Sequence, residues 1–211
     1  MLDELDLVPW QSLRHAFGDA TDVPRLIRAL ASTDGAQRQT ALKDLFACLL
    51  HQGAVYEATA SAVPFLFELL ASDATEERNW VAFLLASIAQ GQGYLKAHTN
   101  LDEERWRQAL AERGSTLEAE LQREDEVVRS VQLALGRGVE QLAPFLSDGE
   151  AEVRATIARA LARYPARAAE LLPALEVAET RERAPHVRQA LQQSLSTLRA
   201  AAGVQAAARR R

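Results

Sequence analysis

The chain has few of the residues on which disulfides, thiolate metal sites and nucleic-acid surfaces depend. It contains one cysteine, Cys48, which excludes an intramolecular disulfide and a cysteine-based zinc site. Because Cys48 lies in the apolar run Leu45–Leu50, we expect it to be a small buried hydrophobic residue. Lysine occurs only at positions 43 and 96, and 24 basic against 29 acidic residues give a net charge of −5. This balance argues against bulk attraction to nucleic acid or anionic membranes.

Long apolar segments are also missing. No run approaches the roughly 20 apolar residues that a membrane-spanning helix requires. The N-terminal sequence MLDELDLVPW lacks a basic segment followed by an apolar stretch, so we expect no signal peptide and a cytoplasmic location. The preference for arginine over lysine, together with abundant alanine, indicates a bacterial genome rich in G and C.

Motifs of metal and covalent chemistry are absent from the sequence. The four histidines are scattered, without HExxH spacing, and lie at His15, His51, His98 and His186. Gly91-Gln92-Gly93 lacks the preceding strand and the third glycine of a dinucleotide loop, and no GxSxG elbow occurs. Adjacent carboxylates, such as Glu103-Glu104, are typical of solvated helix faces. We therefore predict a protein that is not an enzyme and that binds neither metal nor cofactor.

What the sequence does contain is a helix–turn–helix pattern, clearest in Leu142–Leu161. Apolar residues on a short first helix are followed by the break Ser147-Asp148-Gly149. A second apolar stripe then recurs at helical spacing, at Val153, Ile157, Ala158 and Leu161. Because neither helix can bury its stripe alone, such a unit needs neighbours of the same kind.

Prolines mark the repetition of this pattern. Pro24 and Pro64 are 40 residues apart, and Pro64 and Pro144 are 80 apart. We expect Pro24 and Pro64 each to occupy the first turn of a helix, with Asp22 as a cap before the first of them. A period near 40 residues is typical of solenoids built from helix pairs.

Both ends of the array are predicted to depart from the repeat. Val8-Pro9-Trp10 is expected to begin a capping helix that continues through Leu13 and Phe17 until Gly18. The last helix pair is expected over Pro165–Ala200, with residues 201–211 forming a flexible tail. The prediction is thus a single repeat domain over residues 1–200, with about five helix pairs.

The middle of the chain interrupts the period. Gly91-Gln92-Gly93-Tyr94 is a break, and Asn100-Leu101-Asp102 is expected to cap a helix that runs through Arg113. We interpret residues 91–116 as an insertion, which in repeat proteins commonly lies on the binding face. The segment 102–129 is acidic, with nine carboxylates against five arginines.

The repeated units resemble HEAT repeats. Asp34 and Arg38, Asp73 and Arg78, and Asp148 and Arg154 occupy corresponding places, and Val187-Arg188 matches without a preceding Asp. The Asp148–Arg154 portion is similar to the HEAT-like form shared with phycobilisome lyase proteins, and the resemblance covers most of residues 20–200. It implies an all-α fold, a right-handed α-solenoid of helix pairs. It also implies that the turn Asp and the helix Arg interact between neighbouring units.

Six residues are candidates for binding a partner. Asn79 and Trp80 fall on the second helix of their unit, the layer that lines the concave face of a HEAT solenoid, although Phe83 and Leu84 would also suit a core role for Trp80. The others lie in the insertion and are Tyr94, His98, Arg105 and Trp106.

Two functions follow from this interpretation. The first is a non-enzymatic scaffold that binds a protein partner, basic in character, in an immunity-type or assembly role, because complementary charge favours encounter with the acidic segment. The alternative is a DNA-binding protein similar to the HEAT-like alkylpurine DNA glycosylases, which would use the tryptophans together with Arg78, Arg105, Arg107 and Arg154. The net charge disfavours this alternative, because neutralisation of phosphates dominates such binding.

Overall fold

The chain is mostly helical, which confirms the all-α fold class. A computed structural model describes residues 2–98 and 103–208, with 205–208 described by their backbone alone, and the predicted cap at residues 100–102 lies outside these ranges. The α-helices are α1 (Val23–Ala29), α2 (Gly35–Leu49), α3 (Glu57–Ala71), α4 (Arg78–Ala89), α5 (Tyr94–Ala97), α6 (Glu103–Ala111), α7 (Leu117–Gly136), α8 (Ala151–Leu161), α9 (Ala168–Arg181) and α10 (Pro185–Ala208). Short 3₁₀ helices span Leu5–Leu7, Trp10–Ser12, Val139–Ser147 and Pro165–Arg167. Two antiparallel hairpins pair β1 (Arg14–His15) with β2 (Gly18–Asp19), and β3 (Leu50–His51) with β4 (Ala54–Val55).

Contacts between Cα atoms divide the chain into two compact units. Unit 1 contains Leu66–Gln90 and the described residues from Leu135 onward, and unit 2 contains Leu2–Phe65 and Gly91–Ala134. In the described ranges, no helix is long and apolar enough to cross a membrane.

Unit 1 is built from helices that bury one apolar stripe each. The predicted stripe of α8 is confirmed, since Val153, Ile157 and Leu161 are fully buried. Helix α8 packs against both α4 and α10, and the Ser194 hydroxyl of α10 lies 2.8 Å from the Ala158 carbonyl oxygen. Helix α10 continues to Ala208, beyond the end that we expected at Ala200.

An ion pair in unit 1 joins α8 to the residue that follows α9. The Arg154 guanidinium donates two hydrogen bonds to the Glu182 carboxylate, at 2.7 Å and 3.0 Å, and a third, at 2.8 Å, to the Asp148 carbonyl oxygen. Since the Glu182 side chain is only 5% exposed, these bonds form away from water. The Arg154 hydrogen bonds, assisted by two backbone N–H donors, lower the pKa of Glu182 to about 2.

The sequence has no Asp before Arg188 that corresponds to the turn Asp of the other units. In the structure, Glu182 occupies that position. Arg188 donates to the Glu182 carbonyl oxygen, as Arg154 donates to that of Asp148. The two pairs also share a six-residue spacing, 148 to 154 and 182 to 188. The last helix pair therefore carries the turn carboxylate that the other units carry, with Glu in the place of Asp.

The N-terminal segment of unit 2 is not the capping helix that we predicted. Two 3₁₀ turns and the β1–β2 hairpin replace it, because the Trp10 indole is buried and donates at 2.7 Å to the Leu5 carbonyl oxygen. Gly18 has φ +134°, a backbone conformation that closes the hairpin and that other residues rarely adopt. Phe17, expected on the apolar stripe, is 65% exposed.

Two expectations about helix starts are also corrected. Pro24 does lie in the first turn of α1, but the Asp22 carboxylate accepts from the His15 side chain and not from the helix. Pro64 lies inside α3, which begins earlier, at Glu57. The short first helix of the Leu142–Leu161 pattern is a 3₁₀ helix, Val139–Ser147, with Pro144 inside it.

We expect Glu182→Gln to destabilise the protein strongly at neutral pH. The folded-state pKa, about 2, is below the ordinary value of 4.5, so the stabilisation is present above pH 4.5 and is lost as the pH falls towards 2. Urea unfolding at pH 7 should show a loss of about 2–4 kcal/mol in the free energy of unfolding. This loss should shrink steadily below pH 4.5.

The matched control is Asp73→Asn, which breaks the Arg78–Asp73 ion pair of α4. Asp73 is fully exposed, so water replaces the lost contact and no measurable change is expected. This account would be contradicted if the two substitutions lowered the free energy of unfolding equally, or if the loss in Glu182→Gln did not depend on pH.

Candidate functional site

Rings from separate segments of unit 2 form a partly exposed group, which we call the aromatic surface: Phe17, His51, Tyr94, His98 and Trp106. The Phe17 ring meets His51 edge-on, with ring centroids 5.1 Å apart. Tyr94 lies 4.2 Å from His98 and 6.0 Å from Trp106 between ring centroids. The His98 ring also contacts the turn that follows His51, since its Nε2 lies 2.6 Å from Gln52 Oε1.

The β1–β2 hairpin holds Phe17 in place. His15 is buried, and its Nδ1 accepts a hydrogen bond of 3.0 Å from the Phe17 amide, so Nε2 carries the proton and donates to Asp22 at 3.0 Å. The Ala16 amide donates at 3.1 Å to the Cys48 carbonyl oxygen at the end of α2. The backbone amide of an exposed aromatic residue is thus held by a side chain of its own hairpin, and that hairpin is tied to Asp22 and to the end of α2.

The turn of the second hairpin carries the other edge of the aromatic surface. Gln52 and Gly53 both have positive φ, +51° and +84°, as the two central residues of a type I′ turn require. Gly53 accepts from the Gln92 amide at 3.0 Å, and Gln92 accepts in turn from Val55, so the chain leading to α5 is tied to this hairpin.

A cleft of about 470 Å³ adjoins the aromatic surface within unit 2. Its walls combine rings, carboxylates and arginines, namely Arg14, Phe17, Tyr56, Glu57, Tyr94, Glu120, Arg123 and Glu124 with neighbouring backbone. Its size falls in the range of ligand-binding pockets.

Glu124 is the most buried carboxylate of the cleft wall. It is 8% exposed, and its carboxylate accepts from the Leu95 amide at 3.0 Å and 3.3 Å. Burial raises the pKa of Glu124, because a charged carboxylate is poorly solvated there. Burial also raises the pKa of the nearby Tyr56 hydroxyl, with smaller contributions from Tyr94 and Glu124.

The other charged side chains that line the cleft form ion pairs. Arg123 donates to Glu57 at 3.0 Å and to Glu120 at 2.5 Å. The Arg14 guanidinium instead pairs with Asp19, at 3.3 Å, while the Arg14 backbone amide donates to Glu57.

The structure brings together three of the six predicted partner-binding residues. Tyr94, His98 and Trp106 lie in the aromatic surface, and Arg105 is exposed on α6 in the same unit. Asn79 and Trp80 belong to α4 of unit 1. Trp80 is 37% exposed and meets Phe83 edge-on, so its ring lies at the surface of unit 1 and not in its core.

Sequence reasoning missed Phe17, His51 and Glu124 as parts of this site. Phe17 and His51 each precede a glycine of positive φ, Gly18 and Gly53, which is the one signal of a displayed hairpin tip. Glu124 resembles its acidic neighbours in the sequence, and only its hydrogen bonds with the Leu95 amide of α5 distinguish it.

Two observations bear on metal and thiol chemistry among the described residues. No group of three or more histidine, cysteine or acidic side chains there could hold a metal ion. Burial raises the pKa of Cys48 to about 12, so its thiol is a poor nucleophile at neutral pH.

Three of the four arginines considered for DNA binding lie in ion pairs. Arg78 pairs with Asp73 at 3.0 Å, Arg107 with Glu118 at 2.6 Å, and Arg154 with Glu182. A phosphate would have to compete with a carboxylate partner at each of these three arginines.

Comparisons with known proteins identify no family. No protein-family model matches the chain, and a search of curated proteins also gives no match. The HEAT-like relationship stays a prediction from the sequence.

We expect Gly93→Ala to loosen the cleft wall. Gly93 has φ −67°, which any residue adopts, but an added Cβ would lie 2.5 Å from Glu124 Oε2 and 2.9 Å from Glu124 Cβ. The carboxylate must then move from the Leu95 amide, at a cost on the order of 1–3 kcal/mol. Chemical denaturation and hydrogen exchange of the Leu95 amide measure the two effects.

Gly149→Ala is the control for this substitution, since nothing lies within 4 Å of its added Cβ. It should change the stability by less than about 0.5 kcal/mol. If both alanine variants behave alike, the close approach of Gly93 and Glu124 has no structural role.

Proposed function

We propose that the protein is a non-enzymatic, HEAT-like module that binds a basic protein partner through the aromatic surface of unit 2. The observation that carries this proposal is Phe17, a large apolar side chain that is 65% exposed on a backbone fixed by hydrogen bonds. The ring contacts His15 and His51 only edge-on, so most of its apolar surface is left open to solvent. As a prepositioned anchor, it would lower the entropy cost of binding.

The composition of the aromatic surface supports a protein partner. Tryptophan and tyrosine are enriched among residues that dominate binding energy, and Tyr94 and Trp106 lie together here. Their mutual contacts, and that of His98 with Gln52, keep the rings ordered before a partner arrives.

The charge of the adjoining helix supports a basic partner. Helix α7 carries five of the nine carboxylates of the acidic segment, and two of them, Glu120 and Glu124, line the cleft beside the aromatic surface. Complementary charge would increase the association rate and orient the partner.

The packing of unit 1 supports the HEAT-like part of the proposal. Helices α4, α8 and α10, the second helices of the predicted pairs, pack in sequence, with α8 between the other two. The Arg154–Glu182 ion pair connects neighbouring pairs in the way that the resemblance implies. We propose a right-handed α-solenoid for this arrangement.

Neutralisation of a toxin and assistance in assembly are two roles that such binding would serve, and the identity of the partner distinguishes them. The DNA-binding alternative receives less support, because Arg78, Arg107 and Arg154 are paired within the protein. Recovery of nucleic acid with the chain, lost on nuclease treatment, would favour that alternative.

We expect Phe17→Ala to weaken partner binding strongly while preserving the fold. Because the ring is mostly exposed, the free energy of unfolding should change by less than about 0.5 kcal/mol. Loss of an anchor should weaken binding by about 30-fold or more. The immobilised full chain is used to capture proteins from nuclease-treated extract of the native host, and the partner is then purified and titrated against each variant.

Leu7→Ala is the matched control, since Leu7 is a 79% exposed apolar residue of the same unit outside the aromatic surface. It should leave the affinity unchanged. A purified partner that binds the Phe17 and Leu7 variants equally well would contradict the proposed site.

A further inference from the structure

The cleft beside the aromatic surface contains more negative charge than its own arginines neutralise. Three carboxylates line it, those of Glu57, Glu120 and Glu124. Arg123 pairs with the first two, and the Arg14 guanidinium pairs with Asp19. Glu124 therefore forms no ion pair in the described part of the chain, and Arg123, which is near enough to interact with it electrostatically, is already bound by Glu57 and Glu120.

Glu124 is also the most buried of these carboxylates. Its hydrogen-bond donor is the neutral Leu95 amide, and it is 8% exposed. A buried carboxylate without an ion pair is costly for the isolated protein, as the raised pKa of Glu124 indicates. A bound cation would remove this cost.

The remaining walls suit an organic cation with an apolar stem. Phe17, Tyr56 and Tyr94 contribute rings to the cleft, and aromatic faces attract ammonium and guanidinium groups. The methylene groups of lysine and arginine cover apolar surface, while the charged end seeks a carboxylate.

We propose that this cleft receives the cationic end of an arginine or lysine side chain from the protein partner, with Glu124 as its counter-ion and the aromatic rings as its walls. This inference rests on the proposed function, because the side chain belongs to the partner that the aromatic surface binds. It assigns the cleft a role in selecting the partner residue that enters.

The test uses Nα-acetyl-arginine amide as the probe and Nα-acetyl-citrulline amide, its neutral isostere, as the control ligand. Both are titrated into the full chain while the ¹H–¹⁵N signals of the Leu95 and Tyr56 amides are followed. We expect the arginine probe to shift the Leu95 signal saturably, with a Kd on the order of 1–10 mM, and citrulline to bind at least about tenfold more weakly.

Matched variants assign the effect to Glu124. Glu124→Gln keeps an oxygen that can accept from Leu95 but removes the charge, and it should weaken probe binding about tenfold. Glu126→Gln removes the same charge from an exposed position of α7 that does not line the cleft, so it should retain binding. If Glu124→Gln fails to fold, Glu120→Gln serves as the second variant and should weaken the binding in the same direction.

The inference is overturned if the probe causes no saturable shift, if citrulline binds equally well, or if the Glu126 and Glu124 variants lose affinity alike. Its failure is distinguishable from failure of the proposed function. A protein partner that depends on Phe17, combined with no response to the arginine probe, would retain the function and reject the cleft.

Discussion

The hydrogen bonds from the Leu95 amide to the Glu124 carboxylate hold together the face of unit 2 that we propose as a binding site. Helix α5 spans only Tyr94–Ala97, and one helical turn is not stable alone. Its first turn is anchored by a side chain from the long helix α7, and Gly93 leaves the space that this carboxylate occupies. The positions of Tyr94 and His98, and the contact of Tyr94 with Trp106, follow from this anchor.

Each unit contains a buried carboxylate, and the two differ in their hydrogen-bond partners and in the direction of their pKa shift. In unit 1, Glu182 is matched by the Arg154 guanidinium and two backbone donors, and its pKa falls to about 2. In unit 2, Glu124 has a neutral donor, and burial raises its pKa. The first arrangement is complete and stabilises the fold. In the second, the Glu124 carboxylate forms no ion pair, as expected of a site that binds a cation.

The sequence predicts the parts of the fold that local periodicity determines. The stripe of α8 is confirmed because burial of one helix face requires apolar residues such as Val153 and Ile157 at that spacing. Phe17 follows Leu13 at helical spacing, so the sequence predicts a helix there. Hydrogen bonds between distant residues, such as that of the Ala16 amide with Cys48, stabilise a hairpin instead. Tyr94 and His98 are candidates from sequence because they lie in the insertion, whereas the contact of Glu124 with Leu95, 29 residues away, has no signal in the sequence.

The most direct test of the account is hydrogen–deuterium exchange of the full chain with and without its purified partner. If the aromatic surface and its cleft form the interface, the partner should slow exchange in the two hairpins, residues 14–19 and 50–55, and in α5. These segments carry or adjoin Phe17, His51 and Tyr94. Protection confined to α4, α8 or α10 of unit 1, with the hairpins unchanged, would contradict the central claim.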